Sequence, residues 1–370
     1  MRMKRLQLVS FLALCAVLIL TAGCGSTPEP EVTAPMAAKP VGAPITITPP
    51  LGLPPVPVPD NNPPTAETIA LGRRLYYDPM LSVDKTIACA SCHSPEFGFA
   101  DPRQFSEGVG GKKGGRQAPS VINAAYYTTQ FWDGRAASLE EQALGPMQNP
   151  VEMAHTLDGV TKALTSEPSY APEFEKAFGP GPVTIEKAAM AIASFERTVL
   201  SGNSAFDRYM YGGDKSALND SARRGLEVFR DPKKANCAVC HTIDEKYALF
   251  SDSKFHNLGV GANLDGTLKD LGRFEVTKNE ADKGAFKTPT LRNIAQSGPY
   301  MHDGSLKTLK EVIDFYIGAG NSNPWRDKDL LELDHLTGQE RKDLEAFLES
   351  LTGELPAGTG KPETMTSAVQ

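Results

Sequence analysis

The chain has 370 residues, of which 40% are hydrophobic and 22% charged, with a formal net charge of −7. That is apolar enough to build two ordinary cores and excludes a disordered polymer. An acidic balance without a long Lys/Arg run excludes a nucleic-acid partner and leaves small molecules and other proteins.

Residues 1–24 have the form of an export signal: a basic start (MRMKR), an apolar run from Leu6 to Leu20, then TAGC. The run is short for a stable membrane span. Its ending in two small residues and a cysteine resembles a bacterial lipoprotein signal. Cys24 is then the lipidated first residue, the protein faces the periplasm, and the lipid is its only hold on a membrane. Thr21 departs from the usual leucine of that pattern, and cleavage near Ala22 would instead release a soluble periplasmic protein. Residues 25–65 are crowded with proline (TPEPEVTAP, ITPPLGLPPVPVPDNNPP), so the expectation is an extended, hydrated tether.

Two globular segments are expected next, 66–215 and 216–355, with the boundary in the Gly-rich YGGDKSALND, followed by a disordered tail over 356–370. Helical periodicity dominates. In IEKAAMAIASFERTVL the residues Ile185, Ala189, Ile192, Phe195 and Val199 share one face, and GQERKDLEAFLESL closes the chain in the same manner. The fold class is therefore mainly α.

An even number of cysteines, here six, in an exported protein normally suggests disulfides. The positions argue otherwise. Cys15 leaves with the signal, Cys24 is the lipidation point, and the other four form CASCH (Cys89, Cys92, His93) and CAVCH (Cys237, Cys240, His241). Two thiols at this spacing can add to the two vinyl groups of one porphyrin, and the adjacent histidine then lies under the iron. A zinc knuckle or a thioredoxin-like pair also uses C-x-x-C, but neither gives a reason for the histidine to follow twice. Two covalently attached haem c groups are expected, held by His93 and His241. LGRRLYYDP precedes the first motif and RRGLEVFRDP the second, an internal repeat at about 150 residues that marks two cytochrome c-like domains.

CASCH, FWDGRA, GPMQNPVEM, CAVCH, FHNLGV, TPTLRN and PYMHDGS occur in this order between Ala66 and Gly353. In this the chain resembles the bacterial di-haem cytochrome c peroxidases and their MauG-type relatives. Taken alone, Trp132 is an ordinary core residue and Glu152 an ordinary surface carboxylate. The resemblance implies that Trp132 lies between the haems and mediates electron transfer, that Glu152 sits on the open face of the first haem, and that Gln142 orients water or peroxide beside it. Heterolytic O–O cleavage requires a proton to move from one oxygen to the other, and a positioned acid/base group contributes about 10²–10⁴ in rate.

Many family members carry a histidine in the loop after the first motif that blocks the iron. Here that loop is GVGGKKGGRQAPS, so the first haem is expected to stay open, with His155, Met147 and Met153 as the residues near enough in sequence to close it. For the second haem, ordinary members use a methionine where this chain has Tyr316, as the MauG-type branch does; Met301 is the nearest alternative. His302 and His256 are implied to lie near the second haem, and His335 at a helix start. The family's calcium site maps to Gln117, Ser297 and Pro299, with Gln117 a longer amide than the usual asparagine.

The implied activity is reduction of hydrogen peroxide at the first haem, with electrons from a small cytochrome, a copper protein or another donor. A MauG-like oxidase that uses peroxide to modify a partner protein is the alternative enzyme. A plain di-haem electron carrier is the alternative of another class.

Overall fold

The computed structural model describes residues 38–330 and 332–365. The export signal, Cys24 and the first part of the proline-rich segment lie outside the described residues. In chain order the helices are α1 (Ala66–Tyr77), α2 (Leu139–Gln148), α3 (Leu157–Ser166), α4 (Ala171–Phe178), α5 (Ile185–Glu196), α6 (Ala205–Met210), α7 (Asp220–Arg230), α8 (Phe274–Thr277), α9 (Leu309–Ile317) and α10 (Gly338–Glu349). The short strands β1 (Phe255–His256) and β2 (Phe286–Lys287) pair antiparallel. No described helix is long and apolar enough to cross a membrane.

Each half is built around the helix that precedes its C-x-x-C-H motif. Thr65 caps α1 and Asn219 caps α7, each accepting from a backbone N–H of the first turn, and an Asp-Pro pair follows each helix. Leu71, Leu75 and Tyr76 bury one face of α1, and Leu226 and Phe229 do so on α7. α1 packs across α5, and α7 across α10. The contact is backbone to backbone: a Cβ at Gly72 would lie 1.8 Å from the Ala191 carbonyl oxygen, and one at Gly225 would lie 1.9 Å from that of Asp343. Both prefix sequences therefore carry a glycine where no side chain fits. The first core is mostly aliphatic, with Leu71, Leu75, Val160, Leu164 and Ile192. The second is an aromatic cluster in which Phe206 and Phe250 lie 5.1 Å apart and Phe229 and Phe347 lie 4.9 Å apart.

A second repeat joins the halves. The bridge Gln130–Ala136 recurs as Tyr300–Leu306, a constant offset of 170 residues. At that offset the left-handed residues Asn123 and Phe131 meet Asn293 and Met301, and the cap Ser138 of α2 meets the cap Thr308 of α9. The halves grip each other reciprocally: the Gln117 N–H donates to the His302 carbonyl and the Lys287 N–H to the Trp132 carbonyl, each at 2.8 Å.

Two expectations change. The proline-rich segment, expected to be a hydrated tether as far as residue 65, is packed from residue 38 onward. Val41 N–H donates to the Ala177 carbonyl at 2.9 Å, Asn62 lies wholly buried against Glu140 and Met190, and the Gly52 carbonyl accepts from Arg292 at 2.7 Å. Proline removes donors but leaves carbonyls, and an extended strand of carbonyls serves as an acceptor rail for side chains of both halves. The tail is also held as far as Met365: Tyr77 donates to the Thr359 carbonyl at 2.7 Å and Arg73 to that of Gly360 at 2.6 Å. Neither segment has a hydrophobic period, so its partners are visible only in three dimensions.

Candidate active site

The first motif forms a 3₁₀ turn, Cys89–Ser91, whose Cys89 carbonyl accepts from both Cys92 and His93. Cys89, Cys92 and His93 line a cavity holding about 1440 Å³ of space, part of it open to solvent. Burial raises both thiols above their ordinary pKa, which keeps them protonated, and burial lowers His93, against the backbone of Pro119 and Phe99, which keeps its imidazole neutral. His93 Nδ1 has no hydrogen-bond partner among the described residues. All four described cysteines are unpaired. Two free thiols beside a neutral imidazole at a large cavity are what a covalently attached haem c requires.

Gln142, Pro146, Glu152 and Met153 also line this cavity. Glu152 is fixed by Asn149, whose side-chain amide donates to Oε1 at 2.6 Å. Burial raises its pKa, against the Asn149 hydrogen bond and the charge of Arg135. The loop that lacks a histidine is tied to this segment. Val109 N–H donates to the Glu152 carbonyl at 2.8 Å, and a Cβ at Gly108 would lie 2.2 Å from the Val151 oxygen and 2.5 Å from that of Glu152. His93 is the only histidine among the described residues of the lining. The His155 ring instead packs on Gly159 and accepts from Thr156 N–H, and Met147 is wholly buried in the first core. Met153 is buried in that same core at the cavity edge.

The second motif repeats the turn at Cys237–Val239, and its cavity holds about 1830 Å³, again partly open. His241 Nδ1 lies 2.8 Å from the Phe250 carbonyl oxygen, which leaves Nε2 for the iron. Tyr316, on α9, lines the cavity, and burial, with the nearby Cys237 and Cys240, raises its hydroxyl well above the ordinary value. At the offset of 170 its counterpart in the first cavity is Pro146, which has no ligating side-chain atom. Met301 also lines the second cavity. The Cys240 thiol, then Asp327 and Asp252, lift His256 to about 10 against its burial. His302 stacks on Phe286 at 3.6 Å and is held down at about 4 by burial. His335 is exposed, just ahead of α10.

Trp132 lines both cavities, with its indole N–H donating to the Gln117 carbonyl at 2.8 Å. Tyr127 and Lys287 share this wall and were not singled out from the sequence. Lys287 Nζ lies 3.7 Å from the Tyr127 ring centroid and donates to the Thr129 carbonyl at 2.7 Å, and burial lowers it to about 7. The one hint in the sequence is a lysine inside an otherwise apolar and turn-rich run, KTPTLRN. Gln117, Ser297 and Pro299, the calcium candidates, all line the second cavity, and the Gln117 amide donates weakly to the Asp101 carbonyl at 3.3 Å.

The family description "Di-haem cytochrome c peroxidase" matches residues 66–215, and "Cytochrome c" matches residues 222–352. The chain is similar to the methylamine utilization protein MauG of Methylorubrum extorquens, 41% identical over 83% of this chain and 84% of that protein. It is also similar to the cytochrome c551 peroxidase of Nitrosomonas europaea, 38% identical over 81% of this chain and 84% of that protein. The solved structure of a MauG-like protein associated with microbial copper homeostasis matches with a TM-score of 0.74 at 34% identity, covering 82% of this chain and 94% of that one.

Proposed function

Because the chain belongs to the di-haem cytochrome c peroxidase family and its two C-x-x-C-H cavities fit haem c, we propose that it reduces hydrogen peroxide in the first cavity with electrons from an external donor. The observation that carries this reading is Glu152, a half-buried carboxyl that lines a cavity with one histidine and with Pro146 where the second cavity has Tyr316.

When bound, the haems supply the redox-active iron at which an O–O bond is cleaved. The residues supply the proton work and the confinement. Glu152, raised by burial and aimed by Asn149, takes a proton from the near oxygen of peroxide and returns it to the departing one, so that water leaves. Gln142 offers an amide donor and acceptor in the same cavity to orient the substrate. Trp132, held by Gln117 and in contact with both cavities, carries charge between them. Tyr316 would hold the iron of the second haem together with His241, and an oxygen donor there would favour the oxidised state relative to methionine. Gln117, Ser297 and Pro299 are the proposed calcium site. The proposed setting is the periplasm, with a lipid on Cys24 as anchor.

Glu152→Gln is expected to slow the peroxide reaction of the loaded protein by about 10²–10⁴. An unchanged rate removes Glu152 from the mechanism. The placement of Tyr316 in the second cavity favours one second reading, a MauG-like oxidase acting on a protein partner. Steady oxidation of a small cytochrome or copper protein over many turnovers supports the peroxidase. Cross-linking or hydroxylation of a protein partner, with slow donor oxidation, supports the oxidase.

A further inference from the structure

α5 ends at Glu196, whose side chain lines the His93 cavity and is only 5% exposed. Its Oε2 is buried with no hydrogen-bond partner among the described residues. The arginine next to it makes no hydrogen bond to it and only partly offsets its burial, because Arg197 is paired with Glu140, to which it donates at 2.8 and 3.1 Å. Asn62, from the packed proline-rich segment, completes Glu140 with a further hydrogen bond at 2.6 Å. Charged or titratable groups face Glu196 from each neighbouring element: Arg197 at the C-cap of α5, Glu140 on α2, Tyr76 on α1 and Cys89 in the haem turn. Of these only Arg197 is cationic, and it is already paired.

The second half shows that the scaffold does not need a carboxyl here. The crossing of α1 on α5 at Ala191 corresponds to the crossing of α7 on α10 at Asp343, a constant offset that carries Ile192 to Leu344 and Glu196 to Leu348. Leu344 and Leu348 are buried and line the second cavity, as Ile192 and Glu196 line the first. One half fills this place with leucine, the other with an unpaired acid. An ionised carboxylate buried without a partner is costly, so the group is neutral at rest, in keeping with a pKa that burial raises to about 8. Positive charge arising in the cavity offsets that cost.

We propose that Glu196 is the redox-linked proton carrier of the His93 cavity: it holds a proton while the haem is reduced and releases it when the haem is oxidised. When the haem gives one electron to an acceptor, peroxide in function or a dissolved mediator in the test, one proton leaves the Glu196 carboxyl for water. When one electron returns, the carboxylate takes one proton back. The charge of the cavity is thereby kept constant. This depends only on a haem at His93 and holds whether the protein acts as a peroxidase or as a protein-modifying oxidase.

The test is a mediated redox titration of the holoprotein across about pH 6–9, following the first haem by its absorbance, in wild type, Glu196→Gln, Glu196→Leu and Glu152→Gln. In wild type and Glu152→Gln the midpoint potential should fall with rising pH, by up to one proton per electron, and level off above about pH 8, where the carboxyl is ionised in both states. In both Glu196 variants that fall should be lost, with potentials that converge on wild type at the acid end and lie above it at the alkaline end. A slope retained in the Glu196 variants, or one lost in Glu152→Gln alone, overturns the proposal. An infrared difference spectrum of wild type, oxidised minus reduced, guards against variants that fail to take up haem. A protonated-carboxyl C=O band lost on oxidation is expected, and its absence overturns the proposal without any variant.

Discussion

Tyr316 lines the second cavity at the place where Pro146 lines the first, and Leu348 lines the second where Glu196 lines the first. Lys287 and Gln117 are likewise counterparts, as are His302 and Trp132. The backbone frame around these pairs is shared, down to the reciprocal hydrogen bonds and the glycine at each helix crossing. The frame thus provides two haem sites, and the side chains set on it divide the work. The first half has acids (Glu152, Glu196) and a helix residue that cannot ligate. The second has a phenol, a leucine and a histidine, His256, tied between two aspartates. On the proposed reading, proton chemistry belongs to the first cavity and the second holds charge.

The most drastic way to erase this difference is Tyr316→Phe, which makes the second cavity as free of an oxygen ligand as the first. The spectrum of the second haem should change from six-coordinate to open or solvent-ligated, with that of the first unmoved. An unaltered spectrum assigns the ligand elsewhere, with Met301 next in line. A structural contrast comes next. The fully buried Arg292 pairs with Asp207 through two bonds of 2.8 and 2.9 Å, whereas its counterpart Ile122 is an apolar core residue. Arg292→Ile, copying the first half, leaves Asp207 buried without its counter-charge, held only by Ser204, and should cost about 3–5 kcal/mol in denaturant unfolding.

Smaller effects sharpen the account of each cavity. Gly108→Ala puts a methyl against the carbonyls on either side of the peptide that carries Glu152, and should cost about 1–3 kcal/mol while slowing the peroxide reaction. A loss of stability with an unchanged rate would show that the loop does not position Glu152. Glu196→Leu should have an effect on stability that depends on pH. In the folded chain this carboxyl titrates near 8 against an ordinary value of 4.5, so the folded state keeps a proton that the unfolded state has released. Wild type therefore loses stability as pH rises from 4.5 to about 8, by about 1 kcal/mol per pH unit, and the variant does not. Thermal unfolding of both at pH 5 and pH 8, with the haems kept reduced so that the carboxyl holds its proton, reads this directly.

Much of this organisation was legible in the residues. Covalent haem attachment demands a fixed local spacing, so Cys89, Cys92, His93, Cys237, Cys240 and His241 declare themselves, and amphipathic periodicity marks the main helices. Glu152, Trp132 and Tyr316 carry no local signal and were placed through resemblance, because their roles depend on which cavity they face. The packed segment from residue 38 has no periodicity, since its carbonyls act as acceptors for partners far away in sequence, Gly52 for Arg292 and Pro54 for Tyr126. Glu196 was hidden for a different reason. In ASFERTVL it is one more acid on a helix, and only the turning of Arg197 toward Glu140 exposes its isolation.

The electron paramagnetic resonance spectrum of the as-isolated ferric holoprotein bears most directly on the central contrast, since it reports the occupancy of both axial positions at once. The account predicts one high-spin haem, that of His93, which responds to added peroxide, beside one low-spin haem, that of His241. Two low-spin signals that peroxide leaves unaltered would contradict it and return the protein to the role of an electron carrier.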